Sequence, residues 1–267
     1  MTIPARPSTP QVWAGALYLG APATVVAAVA EGRELKAARW GLLDVVITIV
    51  GALMIPVIIL SVAVSAGLPQ HGSAILILGS VTVWLPLAGW PWLTTYLQGN
   101  GVRIDLGYVF RRVDLLWGIG GGVACFVLAT PVGWLTEHFF GSFDSAAGNA
   151  ALQSNSPRWV LVLYAIMICV GAPLFEELAF RGLVFAAVAK RMARHQTSVR
   201  MVLGIAGLWS TMLFAGIHLE LIRVPVLLVI GAVLSYLRAR TGRVGSSVIA
   251  HAVNNIPGAL SIALLGM

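Results

Sequence analysis

The stretch LLDVVITIVGALMIPVIILSVAVSA, residues 42–66, decides the fold class of this chain. It is apolar apart from a few small polar residues, and its single charged residue, Asp44, lies close to its start. A helix needs about 20 apolar residues to cross a hydrocarbon core of about 30 Å. The stretch therefore predicts a transmembrane helix.

The composition of the whole chain agrees with this stretch. Of the 267 residues, 58% are hydrophobic and only 10% are charged, whereas soluble domains are about 25% charged. This composition excludes an ordinary soluble domain, a disordered chain and a secreted disulfide scaffold. Cys125 and Cys169 both lie inside apolar runs, so we interpret them as packed thiols rather than as a disulfide.

We predict an all-α, polytopic transmembrane bundle of seven or eight helices with an intramembrane polar cavity. The chain reads as a single integral membrane domain, 1–267, with its motif-bearing core at about 158–267. Residues 12–30 are Ala- and Gly-rich and contain Pro22, so whether they span the membrane is left open. The other predicted spans are 42–66, 73–93, 115–135, 159–190, 201–218, 225–237 and 244–265.

The basic residues predict the orientation of the bundle. The net charge is +7, but basic loops are the normal mark of the cytoplasmic side of a membrane protein, so nucleic acid is not expected as a partner. Of the Lys and Arg residues, only Arg223 lies in the loops 67–72, 136–157 and 219–224. These three loops are therefore predicted to lie outside the cytoplasm. We expect a multi-pass protein of a bacterial cell membrane, with these basic segments in the cytoplasm: Arg33/Lys36/Arg39, Arg103/Arg111/Arg112, Lys190/Arg191/Arg194/Arg200 and Arg238/Arg240/Arg243.

Ionisable residues within the predicted spans need a reason, because each charge costs about 2.5–3.5 kcal/mol on insertion scales. Glu177 and Arg181 are four residues apart on one helix face and can form an ion pair. Glu176 points about 100° away and has no partner in its own helix. An unpaired buried carboxylate is a candidate proton acceptor or donor. A purely structural ion-pair cluster is the alternative interpretation.

Three further polar residues lie in two other predicted spans: His218 in one, and His251 with Asn255 one turn later in the other. Two imidazoles, a carboxylate and a carboxamide can activate a water and stabilise an oxyanion. Two imidazoles and a carboxylate can equally hold a metal. The His-Glu-x-x-His zinc signature is absent, and Ser247 with His251 is a less favoured serine–histidine pair because its glycine context is not that of a nucleophile turn.

These residues resemble a known family. Glu-Glu-x-x-x-Arg at 176–181, Phe-x-x-x-His at 214–218 and His-x-x-x-Asn at 251–255, in this order on three hydrophobic stretches, look like the CPBP family. That family comprises the type II CAAX prenyl endopeptidases and the bacteriocin-processing, or Abi, proteins. The resemblance covers about the C-terminal 110 residues, including the flank Arg-Thr-Gly at 240–242.

The resemblance implies an intramembrane endopeptidase that cuts a peptide or a membrane-associated protein. Glu176 and His218 would activate the attacking water, and His251 and Asn255 would stabilise the oxyanion. Glu177 and Arg181 would support the site.

The cofactor is left open between none and zinc, which Glu176, His218 and His251 would bind. A metal-free site is preferred, because it leaves Asn255, a poor zinc ligand, free to donate.

Two other functions are considered from the same residues. One is a catalytically silent membrane protein that binds a partner, such as an immunity or scaffold protein. The other is a proton-coupled transporter, which would bring repeated broken helices that the sequence does not show. The identity of the substrate and the oligomeric state are not predicted.

Overall fold

The computed structural model describes residues 16–195 and 198–265, and this part of the chain is helical with no strand. Two of its long helices, α3 and α7, contain π-helical turns. The helices are α1 (Ala23–Ala30), α2 (Leu42–Ser65), α3 (Ser73–Gln98), α4 (Val102–Asp105), α5 (Val113–Phe140), α6 (Ala146–Gln153), α7 (Arg158–Met192), α8 (Val199–Ile217), α9 (Leu221–Thr241) and α10 (Gly245–Ala263).

Six helices of the described residues are long and apolar enough to cross a membrane: α2, α3, α5, α7, α8 and α9. They confirm the all-α prediction, but these six candidate spans are fewer than the seven or eight that the sequence predicts. The predicted span 244–265 is present as α10, but α10 is not among the six. The polar residues His251, Asn254 and Asn255 lie within it and lower its hydropathy.

The stretch 12–30 does not form one spanning helix in its described part, and its first residues, 12–15, lie outside the described residues. A turn with Gly20 at φ +81° interrupts the chain, and Pro22 precedes the first residue of α1. At 1.5 Å per residue, α1 is about 12 Å long, which is too short to cross a bilayer.

The loops form two separate ends of the bundle. At one end, which we call the basic end, Arg243 Nη2 pairs with Asp114 Oδ1 at 2.6 Å and Lys190 Nζ donates to the Ala38 carbonyl at 3.0 Å. At the other end, which we call the opposite end, the hydroxyls of Ser73 and Ser156 are 2.9 Å apart. The amide of Ala146 there donates to Glu220. The predicted cytoplasmic segments and the predicted outer loops therefore gather at different ends.

Helix α10 packs closely against α5 through glycines. A Cβ added to Gly118 would lie 2.4 Å from Ile249, and one added to Gly122 would lie 2.5 Å from Val253. Gly118 and Gly122 are one turn apart, and small residues at this spacing let membrane helices approach closely. The N-terminal half of the chain thus holds the helix that carries His251 and Asn255.

Helix α7 runs through the centre of the bundle. Every residue from Glu177 to Ala189 is buried, and Phe180, Leu183 and Phe185 are completely so. The preceding part of α7, by contrast, is a mixture of exposed, half-buried and buried residues. The change from one state to the other falls between Glu176 and Glu177.

Candidate active site

Two π-helical segments flank the glutamate pair on α7. The segment Met167–Gly171 precedes the short α-helical piece Ala172–Glu177, and the segment Leu178–Val184 follows it. Pro173 lacks an amide hydrogen and so favours an altered hydrogen-bond pattern at this point. A Cβ on Gly171 would lie 2.6 Å from the Trp84 ring, so glycine allows α3 to approach here. Such π-helical insertions are frequent at functional sites.

Glu177 is the centre of a fully buried network. Its Oε1 accepts a hydrogen bond from Arg181 Nη1 at 2.7 Å and another from His251 Nδ1 at 3.0 Å. Arg181 Nη2 donates to the Gly231 carbonyl at 3.0 Å, and its guanidinium lies 4.5 Å from the centre of the Phe214 ring. The ion pair predicted within α7 is present, and it extends to α9 and α10.

Glu176 faces away from this network. About 17% of its side chain is exposed, against 0% for Glu177. Its Oε2 is a buried atom with no hydrogen-bond partner and lies 4.0 Å from His251 Nε2. Because His251 donates from Nδ1 to Glu177, its neutral form has a lone pair on Nε2, facing Glu176. The His251 ring thus stands between the two carboxylates.

His218 lies beside this group without a direct polar contact to it. Its Nδ1 donates to the Phe214 carbonyl at 2.7 Å. The Phe214 ring is edge-on to both imidazoles, with centroids 4.8 Å from His218 and 5.6 Å from His251. Within the described residues, no hydrogen bond or ion pair joins His218 to Glu176.

Asn255 is held by a carbonyl of the first π-helical segment. Its Nδ2 donates to the Ile168 carbonyl at 3.1 Å, and Asn254 Nδ2 donates to Asn255 Oδ1 at 3.4 Å. The π-helical turn around Ile168 changes the usual backbone pairing there. Since an amide nitrogen carries two hydrogens, Asn255 keeps a second one for another acceptor.

One open pocket, of about 720 Å³, brings four of the predicted residues to a common space. Its walls are mostly apolar and include side chains from α2, α3, α7, α9 and α10. Glu177 and Arg181 do not line it, because both are sealed behind it. The predicted residues that do line it are Glu176, His218, His251 and Asn255.

Sequence reasoning missed three contributors to this site. Asn254 also lines the pocket, although the sequence marks it no differently from its neighbour. The Tyr108 hydroxyl donates to the Leu174 carbonyl at 3.1 Å, and burial, followed by the charge of Glu177, raises the pKa of Tyr108 to about 12. The close packing at Gly118 and Gly122 was detectable, since the small-xxx-small spacing is visible in the sequence.

The donor set does not form a ready metal site. No group of three or more His, Cys, Asp and Glu in the described part of the chain is arranged to hold a metal ion. Glu176 Oε2 and His251 Nε2 are close enough to act as two ligands, but His251 Nδ1 is engaged by Glu177, and His218 has no polar contact with either. A tetrahedral zinc site with three protein ligands needs a third one here.

The fold and this site define a multi-pass helical membrane protein with a carboxylate–imidazole site at the base of a pocket. Residues 157–257 match the family model described as Type II CAAX prenyl endopeptidase Rce1-like, so this part of the chain is a domain of that family. The match includes all three motifs and implies hydrolase activity of the CAAX-protease type. No curated protein and no solved structure matches the chain.

Proposed function

We propose that the protein is an intramembrane endopeptidase of the bacterial cell membrane that hydrolyses a peptide bond by an activated water. Its substrate is a peptide or a segment of a membrane-associated protein. The observation that carries the proposal is the unpartnered Oε2 of Glu176, facing His251 Nε2 at 4.0 Å in an open pocket. A carboxylate that lacks a partner at this depth is costly unless it takes part in chemistry.

In the proposed reaction, Glu176 is the general base. A water between Glu176 Oε2 and His251 Nε2 donates to both groups, and Glu176 takes its proton as the water oxygen attacks the substrate carbonyl carbon. The C–N bond then breaks, and the proton returns to the leaving nitrogen, so no other reactant is required. Glu177 acts as a positioning residue, since its contact with His251 Nδ1 fixes the imidazole.

The developing oxyanion needs donors on the pocket wall. Asn255 has a second amide hydrogen for this role, and its first, bound to the Ile168 carbonyl, holds the side chain in place. His218 is the second candidate; because its Nδ1 donates to Phe214, it donates from Nε2 only as an imidazolium. The family resemblance pairs Glu176 with His218 at the water. Because His251 Nε2 lies 4.0 Å from Glu176 Oε2, and no polar contact joins His218 to Glu176 in the described residues, we exchange the roles of the two histidines.

The test uses purified protein in detergent and a library of lipid-tethered, internally quenched peptides. We expect cleavage by the wild type and a loss of about 10²–10⁴-fold in Glu176→Gln, as for removal of a general base. Glu137→Gln, a matched change at an exposed glutamate that does not line the pocket, should retain wild-type turnover. Equal turnover by all three proteins would overturn the role of Glu176. No cleavage by folded wild type would instead favour the partner-binding alternative.

A further inference from the structure

In the part of the chain that the structure describes, the residues that line the pocket with Glu176 and His251 extend to the opposite end of the bundle. Apart from its base, its lining residues come from the opposite end and from the helix turns nearest to it. Among the described residues, none that lines the pocket belongs to a loop of the basic end. The residues at its mouth are Gln70, His71, Ser145, Ala146, Gln153, Glu220 and Arg223.

We propose that the substrate enters from outside the cytoplasm, as an extended peptide segment presented at the outer face of the membrane. The proposal rests on the proposed function for its chemistry, and it adds the side from which the substrate comes. Basic loops mark the cytoplasmic side of membrane proteins. Since the basic end is the one away from the pocket mouth, the mouth faces the extracytoplasmic side.

The path from the basic end to the site is blocked by packed side chains. Below Glu176, each residue of α7 from Glu177 to Ala189 is buried. Arg238 closes the space beside it, because its Nε donates to the Arg181 carbonyl at 2.9 Å and its guanidinium lies 5.1 Å from the Phe185 ring centre. A cytoplasmic peptide would have to displace this core to reach Glu176.

The apolar part of the pocket wall indicates a peptide with small or apolar side chains. One face of α6 presents Ala146, Ala147 and Ala150 to the pocket, and Leu227 and Ile230 line it opposite the glutamate helix. The acidic group at the mouth, Glu220, is already paired with Arg223. The volume of about 720 Å³ falls within the range of about 300–1,000 Å³ that is usual for binding pockets.

Cysteine accessibility in intact cells tests the direction of opening without any substrate. The background is Cys169→Ala, with Cys125 retained because it is fully buried, and it serves as the blank. Three single changes are added to it: Gln153→Cys at the mouth, Ala172→Cys one turn before Glu176 on the pocket wall, and Arg194→Cys at the exposed basic end. The probe is a small, membrane-impermeant methanethiosulfonate reagent, applied before and after lysis.

We expect Gln153→Cys and Ala172→Cys to react fully in intact cells, and Arg194→Cys to react only after lysis. Reaction of Gln153→Cys only after lysis would overturn the orientation. Reaction of Ala172→Cys only after lysis, or in neither state, would overturn the outward opening.

Comparing the labelling with peptide cleavage by the wild type separates this proposal from the proposed function. The expected labelling pattern together with no cleavage by folded wild type would count against the enzyme and in favour of the opening, and Glu176→Gln should keep the labelling pattern of the wild type. If Ala172→Cys does not fold, Ser80→Cys on the pocket wall of α3 replaces it.

Discussion

The two halves of α7 differ although they belong to one continuous helix. The half before Glu177 includes exposed and half-buried residues and borders the pocket, whereas the half from Glu177 to Ala189 is entirely buried. Glu176 and Glu177 have the same side chain, yet one faces the pocket and the other binds Arg181. A step of one residue, about 100° around a helix, therefore separates a group available for chemistry from a group that holds the core.

The largest expected effect comes from the residue that contacts both halves. His251 reaches Glu177 through Nδ1 and faces Glu176 through Nε2. We expect His251→Ala to lower turnover by about 10²–10⁴-fold, because the water loses one of its two partners. His218→Ala is the control, since it removes the imidazole on the other side of Phe214. A larger loss of turnover in His218→Ala than in His251→Ala would indicate that His218 binds the attacking water, and it would refute the exchange of roles.

Changes in the buried half of α7, from Glu177 to Ala189, should lower the stability of the folded protein more directly than the rate of the reaction. Arg181→Ala leaves Glu177 buried without its cation, and breaking a buried pair in this way costs about 3–5 kcal/mol. We expect a lower thermal unfolding midpoint in detergent and poor expression. The paired change Glu177→Gln with Arg181→Met should recover part of the lost stability. No recovery in the paired variant would show that the two side chains are not coupled.

Loss of Asn255, which contacts the half of α7 that borders the pocket, should lower mainly the rate of turnover. Asn255→Ala removes a proposed oxyanion donor and is expected to lower the turnover by about 10²–10³-fold. Its lost hydrogen bond to Ile168 should change stability by only about 0.5–1.5 kcal/mol. Asn254→Ala, next to it on the same pocket wall, should lose much less activity. An equal rate loss in both variants would argue against a specific donor at Asn255.

The smallest effect is expected from removal of metal. Glu176 and His251 provide two candidate ligands at the boundary between the halves, and a structural or catalytic zinc needs three or four. Treatment of active enzyme with a strong chelator should therefore leave its turnover unchanged. Stoichiometric zinc by elemental analysis, with activity lost to the chelator and restored by zinc, would contradict this expectation.

The sequence predicted the residues that line the pocket better than the contacts of the buried network around Glu177. Apolar length identified the long helices. The energetic penalty of charge in a membrane selected Glu176, His218 and His251, and the i,i+4 spacing from His251 added Asn255; these four residues line one pocket. The i,i+4 spacing of Glu177 and Arg181 predicted their ion pair correctly. The helices and the ion pair depend on residues close together in one helix, and each polar residue stands out within its own apolar stretch, so hydropathy and periodicity are enough to find them.

The remaining features depend on contacts between helices, which a single sequence does not specify. Nothing local indicates that Glu177 binds His251, because the partner lies on α10. The π-helical turns around Ile168 and after Glu177 are supported by tertiary packing and were not predicted. The stretch 12–30 was ambiguous for a different reason: its apolar content suggested a span, and the turn at Gly20 and Pro22 ends that continuity.

The close approach of α5 and α10 has a consequence for how the protein is made. Helix α10 is the long helix of the described residues that does not qualify as a span on its own apolar content. During synthesis it emerges after α5 is complete, and the surface around Gly118 and Gly122 can then receive it. We therefore expect insertion of the segment that carries His251 and Asn255 to depend on a partner helix already in the bilayer, which would couple the biogenesis of the proposed active site to the N-terminal half of the chain.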